Sequence, residues 1–574
     1  MILEKKIWNK HLKSWSNLKF KKVIPVTHTD PLEKTRQFLA DKLIPSFTFR
    51  HVTMMEMSKI ISTLSNSTAA GIDDISTICV KKMRDPLIPI MQHIINKSFD
   101  TNTFPKQWKT AKILPLFKQN GDSTSPGNYR PIALLPSFSK CLEKVMVKQL
   151  QEHLEKNFLL SDFQHGFRPF RSCQSAILQL HHKILSDSAS GSDNLIMLAD
   201  CSAAFDTVNH ELLLAKLSLY GVTEESCAWF KSYLSDRWQL TEVGGEESEL
   251  TAILQGVFQG SLAGPILYCL YMNDLTAITK NIERRGICKY ADDASALWKL
   301  IGDMLRDQAA IDNLTGELSD YMNANQLKFN ALKTHYMIMT TKGRNIHQGI
   351  QLEMDGQLIT PSRFERLLGV LISRNCRFDH HIKESDNSLI KQLKKRLTAL
   401  KIICRDASFQ HRKLLVQGLF ISKLSFCISS WGGFMGKYLH ELEVLQNAAA
   451  RIVTRSPKTT RLSKMYKELG WLRLTSMLKY FDQLQLHSIR QNKHPRDMYE
   501  IIGESFSHNH YTRSRNRGLI QLTNRNTAKN SMLYNSFIPR AVRDYNSLPD
   551  HIKMSETRHI FKKSLKKHLL DSQF

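Results

Sequence analysis

Two short apolar runs separated by a pair of acids constrain this chain more than any other feature. In GICKYADDASALW, residues 286–298, Asp292 and Asp293 sit between strand-like segments, as expected of a β-hairpin whose turn presents both carboxylates. A second apolar run, NLIMLAD, ends on Asp200, so a further carboxylate should emerge at the edge of a buried sheet. Together the three acids offer the hard oxygen ligands that Mg²⁺ takes. Two such ions, about 4 Å apart, serve phosphoryl transfer to a 3′-hydroxyl, one activating the attacking oxygen and one steadying the leaving pyrophosphate. Singly the pieces are weak, since an Asp-Asp pair between strands is usually only a turn.

Charge narrows the partners. The 574 residues carry a formal net charge of +27, which favours a polyanion such as nucleic acid or an anionic membrane surface. From residue 401 onward 30 Lys and Arg stand against 12 Asp and Glu, so the last third is expected to lie along a phosphate backbone. A solvated basic surface is the plain alternative. Hydrophobic residues at 42% and charged residues at 23% exclude a disordered or collagen-like chain. The ten cysteines include no CxxC pair, which signals neither a zinc module nor a disulfide framework and implies a reducing compartment. No apolar run approaches the roughly 20 residues that span a bilayer, so no membrane partner is expected.

The length predicts two or three packed units. Residues 1–50 form a basic, weakly patterned lead-in, and apolar spacing over 51–97 predicts helices broken by the polar turn Asn66 to Asp74. Between about 105 and 375, strand-like runs (Ala111 to Phe117, Asn194 to Ala199, Thr334 to Met339) alternate with helical stretches. Beyond 380 the pattern turns helical, in Ile390 to Cys404, His411 to Cys427 and Leu439 to Thr454, and apolar spacing returns in Ile560 to Leu570 after an Arg-, Asn- and Ser-rich stretch.

An ordered set of motifs joins these pieces. It runs GIDDIS at 71, WKTAKILPLFK at 108, NYRPIALLPSFSKCLEK at 128, SDFQHGFRPFRSCQSAI at 161 and LADCSAAFDTVNH at 198. It continues with GVFQGSLAGPILYCLYMNDL at 256, YADD at 290, NQLKFNALKTHYMIM at 325 and LLGVLISRNCRFDHHI at 367, with weaker features at LQNAAARIV and DYNSLPDHI. The set resembles the reverse transcriptases of non-LTR retrotransposons, jockey-like or related clades. That resemblance implies an α+β right-hand polymerase: fingers, a palm with an antiparallel sheet, a helical thumb, and a basic, mainly helical C-terminal region. The corresponding boundaries are 1–50 for the lead-in, 51–190 for fingers and part of the palm, 191–375 for the palm, 376–500 for thumb and connection, and 501–574 for the C-terminal region.

The resemblance also implies roles. Asp200 and Asp292 would hold two Mg²⁺ ions, with Mn²⁺ as a substitute and Asp293 as a partial or outer ligand. Lys118 and Arg130 match positions that neutralise the triphosphate, which suits a point-charge ammonium and a forked guanidinium. Phe205 matches a bulky position beside the incoming sugar, where a ring excludes a 2′-hydroxyl, although core packing alone also accounts for a Phe there. Gln259 and Gly260 match a loop that approaches template and nucleotide closely. Tyr290 belongs to the same substrate-binding set, and Lys333 matches a cation that assists the leaving pyrophosphate, with a plain strand-edge lysine as the alternative. Three departures stand out: Phe258 where proline is usual, and Cys201 and Ala203 where Leu and Lys are usual.

The reading is therefore an RNA-directed DNA polymerase acting on an RNA template, a DNA primer or target and dNTPs. The alternative is a catalytically inactive nucleic-acid-binding remnant of such an element. An intron maturase shares the palm motifs, but the Asn-Ser-Leu-Pro tail argues against it. Elements of this kind usually carry a nuclease before the polymerase, and none is expected within this stretch. Action in a nuclear and cytoplasmic ribonucleoprotein follows from the same resemblance. His181-His182 and His380-His381 have no accompanying metal-ligand spacing and read as surface or core histidines. Trp431, Trp471, Tyr480 and Phe481 are expected in the core before any base-stacking role.

Overall fold

The run from Ala111 to Phe117 folds as strand β1 (Thr110–Phe117), which pairs antiparallel with β2 (Tyr129–Leu134). Lys118 follows β1 directly and Arg130 lies on β2, so both cations belong to one hairpin. The next strand, β3 (Asp193–Ala199), is almost wholly buried. β4 (Arg237–Val243) runs parallel to β1 and completes the first sheet together with the short β5 (Glu246–Glu247) and β6 (Thr251–Ile253).

A second sheet, ordered β7-β8-β3-β9, places β3 inside it, between β8 (Asp293–Leu300) and β9 (His335–Met339), with β7 (Arg285–Tyr290) at one edge. Its pairings are all antiparallel. The alternation of side chains along β3 separates two hydrophobic cores: Leu195, Met197 and Ala199 enter one, while Ile196 enters the other with Leu297 and Met337. Such burial on both faces explains why the segment reads as a continuous apolar run.

The structure is a computed structural model that describes residues 30–119, 121–201, 204–279, 285–341, 349–503 and 532–574. Residues 1–29 of the lead-in, Ala203, and the polar stretch 504–531 lie outside the described residues. The first core gathers the N-terminal helices and the long helix Ser137–Lys156, whose buried Cys141, Leu142, Val145, Leu150 and Leu154 follow helical spacing. A buried polar knot ties it together. Lys216 and Asp274, neither exposed, pair at 2.9 Å, Tyr321 donates to Asp274 at 2.6 Å, and Thr35 donates to its other oxygen. Four distant segments thereby share one carboxylate, and removing either charge would strand the other in the interior.

The second core is built by the helix Cys173–Ala189 and the helices beyond residue 388, confirming the helical C-terminal part. These include Leu389–Ile403, Phe409–Val416, Leu439–Thr454, Leu474–Asn492, Phe537–Asn546 and Arg558–Ser572. The predicted helix through Cys427 ends two residues earlier, at Ser425, because Cys427 adopts a left-handed φ of +50°. Asp162 fastens the two parts, meeting Arg171 at 2.8 Å and His494 at 3.4 Å, and Gln179 donates to Asp497 at 2.8 Å. The fold is thus mixed α and β, with a helical C-terminal region. Among the described residues no single helix is long and apolar enough to cross a membrane.

Candidate active site

Antiparallel register decides where the acids meet. Ala199 pairs with Ala294, so Asp200 stands at the same sheet end as Asp293 and the β7–β8 turn. Tyr290 pairs with Asp293, which leaves only Ala291 and Asp292 in the turn. The expectation that the turn presents both acids is corrected accordingly: Asp292 occupies it and Asp293 opens β8. Ala291 takes a left-handed φ of +59°, as tight hairpins require, at a cost on the order of 1 kcal/mol for a residue with a Cβ.

The turn is held from outside by residues 163–166 of the motif that starts at Ser161. Lys289 donates its N–H to Phe163 O, and His165 donates to Lys289 O, both at 2.8 Å. Gly166 then packs so tightly that a Cβ there would lie 2.3 Å from the Ala291 nitrogen. Glycine is required at 166 by this contact, because only a residue without a side chain lets the two backbones approach.

Asp200 and Asp292 open into one cleft of about 990 Å³, whose walls also include Lys118, Arg130 and Lys333. Phe205, Gln259 and Gly260 line the same cleft. Tyr290 and Asp293 do not line that cleft; they border a small cavity with Ala176, Leu180 and Leu368, and Asp293 is exposed. Burial and a hydrogen bond with Cys173 push the Tyr290 phenol up to about 12. The structure therefore brings eight of the ten proposed site residues to one space and leaves two outside it.

Electrostatics at the cleft are those of crowded carboxylates. Partial burial, and then the charge of Asp200, raise Asp292 above the usual carboxylate range, while Arg130 and Lys333 act in the opposite sense. Asp293 is pushed up to about 6 by the protein packed around it and by the charges of Asp292 and Asp200. Lys333 Nζ lies 3.3 Å from Asp200 Oδ2, and both groups reach solvent. A divalent cation would relieve the same repulsion more strongly, and the all-oxygen donor set suits a hard ion. Among the described residues no three His, Cys, Asp or Glu side chains already converge as a complete cage. Asp200 and Asp292 are oxygen donors of the kind that would suit a hard divalent cation.

The remaining wall is aromatic and backbone. Phe205 stacks on buried Tyr268 with ring centres 4.8 Å apart, and Phe167 meets its edge at 6.3 Å. Lys118 Nζ donates to Gly127 O at 2.8 Å, holding the ammonium against the β1–β2 connection. Gln259 accepts at its carbonyl from the Ala133 N–H at 2.7 Å. Gly260, at φ +121°, lies where a Cβ would come 2.4 Å from Ala133 O. Sequence reasoning missed Gly166, Phe167 and Tyr268. Phe167 carried a usable signal, an aromatic residue inside a polar, turn-rich motif, whereas Tyr268 sits in an apolar helix that reads as ordinary core.

Several other sequence expectations hold. Trp431, Trp471 and Tyr480 are buried and Phe481 is packed against the second core, so they serve packing. His181 and His381 are core residues, hydrogen-bonded to Cys376 O and to the Leu371 N–H. All ten cysteines are free thiols.

Residues 117–372 match the family model described as reverse transcriptase (RNA-dependent DNA polymerase). The chain is 25% identical over 481 residues to the probable RNA-directed DNA polymerase from transposon BS of Drosophila melanogaster, covering 80% of this chain and 51% of that protein. It is 25% identical over 491 residues to the RNA-directed DNA polymerase from mobile element jockey of the same fly, covering 82% and 51%. A probable RNA-directed DNA polymerase from transposon X-element is 24% identical over 440 residues, covering 76% and 47%. The chain spans about half the length of these curated relatives. The matches bear out the resemblance carried by the motifs and lend nothing to the inactive alternative.

Proposed function

We propose, with that family match as premise, that the chain is the polymerase part of a non-LTR retrotransposon protein. It extends a primer 3′-hydroxyl with dNTPs on an RNA template. The observation that carries this reading is the meeting of Asp200 and Asp292 with Lys118, Arg130 and Lys333 around one cleft. In this reading residues 51–190 act as fingers and part of the palm, 191–375 as palm, 376–500 as thumb and connection, and 501–574 as a basic C-terminal region. Two Mg²⁺ ions, or Mn²⁺ in their place, would be held by Asp200 and Asp292 with Asp293 as outer support, and would supply Lewis-acid activation of the attacking oxygen and charge neutralisation on the phosphates.

The protein's own groups do the rest. Arg130 and Lys118 bind the triphosphate, the first by a forked pair of hydrogen bonds and the second as a point charge. Phe205, pinned by Tyr268, occupies the volume a 2′-hydroxyl would need, which selects dNTPs. Gln259 presents its amide to the incoming nucleotide, and Gly260 lets the strand come close. Lys333 offers a proton and positive charge to the departing pyrophosphate. Basic residues of the C-terminal helices grip the nucleic acid backbone with an affinity that falls as salt rises. Work in a nuclear and cytoplasmic ribonucleoprotein belongs to the same proposal.

Primer extension by the purified chain on poly(rA)/oligo(dT) tests it. Synthesis that needs a divalent metal and falls to background in Asp200→Asn and Asp292→Asn supports the reading. A folded wild type that binds the template-primer yet adds no nucleotide with Mg²⁺ or Mn²⁺ overturns it.

A further inference from the structure

Behind Gln259 and Gly260 lie two buried charges that the proposed reaction does not use. Arg237, the first residue of β4, is 4% exposed. Its Nε donates to Tyr233 O at 2.5 Å, and among the described residues its two terminal nitrogens meet no hydrogen-bond partner. The guanidinium instead lies among aromatic faces, 4.1 Å from the Tyr233 ring centre, 5.1 Å from Phe104 and 5.4 Å from Phe258. Glu143 is fully buried. Its Oε1 accepts from the Tyr233 hydroxyl at 3.0 Å, and its Oε2 accepts from the Leu262 N–H at 2.7 Å. Tyr233 thus touches both charges, with its ring and carbonyl toward Arg237 and its hydroxyl toward Glu143.

Burying a carboxylate and a guanidinium costs several kcal/mol per ion unless each is compensated. Stacking on ring faces returns part of the cost for Arg237, and the hydrogen bonds of a helix start return part of it for Glu143. Replacing buried charges with well-packed apolar residues is often neutral or stabilising, so stability is a weak reason for the arrangement.

What the two charges share is the loop between Phe258 and Leu262. Arg237 stacks under the Phe258 ring at one end, and Glu143 anchors the Leu262 N–H at the other. Between these points Gln259 is hydrogen-bonded to Ala133 on β2, and Ser261 Oγ bridges Phe258 O and the Gly264 N–H at 3.0 and 2.9 Å. A proline at 258 would stiffen the backbone but offer no aromatic face. The phenylalanine exchanges that constraint for a cation–π contact reaching into the buried pair.

The geometry points to Glu143, Tyr233 and Arg237 as positioning residues that set the 258–262 loop, and through it the Gln259 amide, against the incoming nucleotide. This rests on the polymerase reading above. They touch no substrate themselves, and their effect should fall on nucleotide affinity rather than on the chemical step.

The test combines two measurements on the full chain with Tyr233→Phe, Glu143→Gln, Arg237→Lys and the double variant Glu143→Gln/Arg237→Gln. Hydrogen exchange at the Leu262 and Ala263 amides reads the loop without any need for activity. Steady-state extension of oligo(dT) on poly(rA) reads KM for dTTP and kcat separately. We expect exchange to quicken and KM to rise by roughly tenfold or more in Tyr233→Phe and Glu143→Gln, the weight of a charge-assisted hydrogen bond, with kcat within about twofold. Arg237→Lys, which keeps the charge but not the plane, should give a smaller KM rise. Should a single variant fail to fold, the double variant, neutral at both sites, carries the test. Exchange and KM at wild-type values in folded variants overturn the proposal, as does a fall in kcat at unchanged KM. An inactive wild type sinks the polymerase reading alone, because the exchange measurement still decides whether the bracket holds the loop.

Discussion

Lys333 Nζ stands 3.3 Å from Asp200 Oδ2, at the mouth of the cleft where the β3 and β8 ends meet. The pair is open to solvent, so its worth to stability is small. Its interest is positional: in the proposed reaction a cation taken up by Asp200 would compete with this ammonium and free it for the pyrophosphate.

Lys333→Ala is therefore expected to act in two opposite directions. The divalent-metal concentration for half-maximal extension should fall, because Asp200 loses a competing charge, while kcat drops by roughly 10²-fold for want of a cation at the leaving group. Metal titrations of wild type and variant at saturating dNTP measure both. A lower kcat with unchanged metal dependence would mean that the pair seen here is incidental.

Phe205→Val should relax sugar selection. The ring is fixed between Tyr268 and Phe167, so shortening it opens space that no neighbour refills. The ratio of kcat/KM for dNTP over rNTP should fall by roughly 10- to 200-fold, mostly through better use of the ribonucleotide. An unchanged ratio would assign Phe205 to core packing.

Gly166→Ala should damage catalysis without touching substrate. Its Cβ would come 2.3 Å from the Ala291 nitrogen, and backbone cannot step aside as a flexible side chain can. The turn carrying Asp292 must shift, and a displacement near 1 Å at reacting groups costs about 10²-fold in rate. Primer extension beside a template-binding assay separates this from general unfolding: binding is retained and kcat is lost.

Stability should depend on His381 as pH falls. Burial, and then the charges of Lys423 and Arg366, lower its pKa from 6.5 to about 3. Folded His381 stays neutral below pH 6.5 while the unfolded chain takes up a proton, so its contribution is fully present above 6.5 and is lost as pH falls toward 3. Between pH 7.5 and 5.5 that amounts to a loss on the order of 1 kcal/mol. Urea unfolding of wild type and His381→Gln at the two pH values should show their stability difference shifting by that amount in favour of the variant at pH 5.5. A constant difference would place a proton on folded His381.

Much of the candidate site was legible locally. NLIMLA reads as a buried strand because both its faces are covered, and the two acids between apolar runs read as a hairpin because turn and strand chemistry alternate over a few residues. Asp200 at a strand end and Asp292 in a turn follow from those patterns. The placement of Asp293 did not follow, since one residue of hairpin register decides which face of the sheet a side chain takes.

What the sequence determined by itself was the main strands that carry the acids, the end of the sheet where carboxylates emerge, the helical character beyond about residue 380 and the basic charge that asks for a polyanion. These depend on periodicity and residue type within a dozen positions. Only the tertiary structure decided that Lys333 meets Asp200, that Gly166 presses on Ala291, and that Glu143 and Arg237 share Tyr233 beneath the Gln259 loop. Arg237 reaches Tyr233 only four residues back, but Lys333 with Asp200, Gly166 with Ala291 and Glu143 with Tyr233 each join segments far apart in the chain, which only the tertiary packing brings together. A local pattern records the propensity of a strand or turn to form, but not which distant backbone will lie within 3 Å of it.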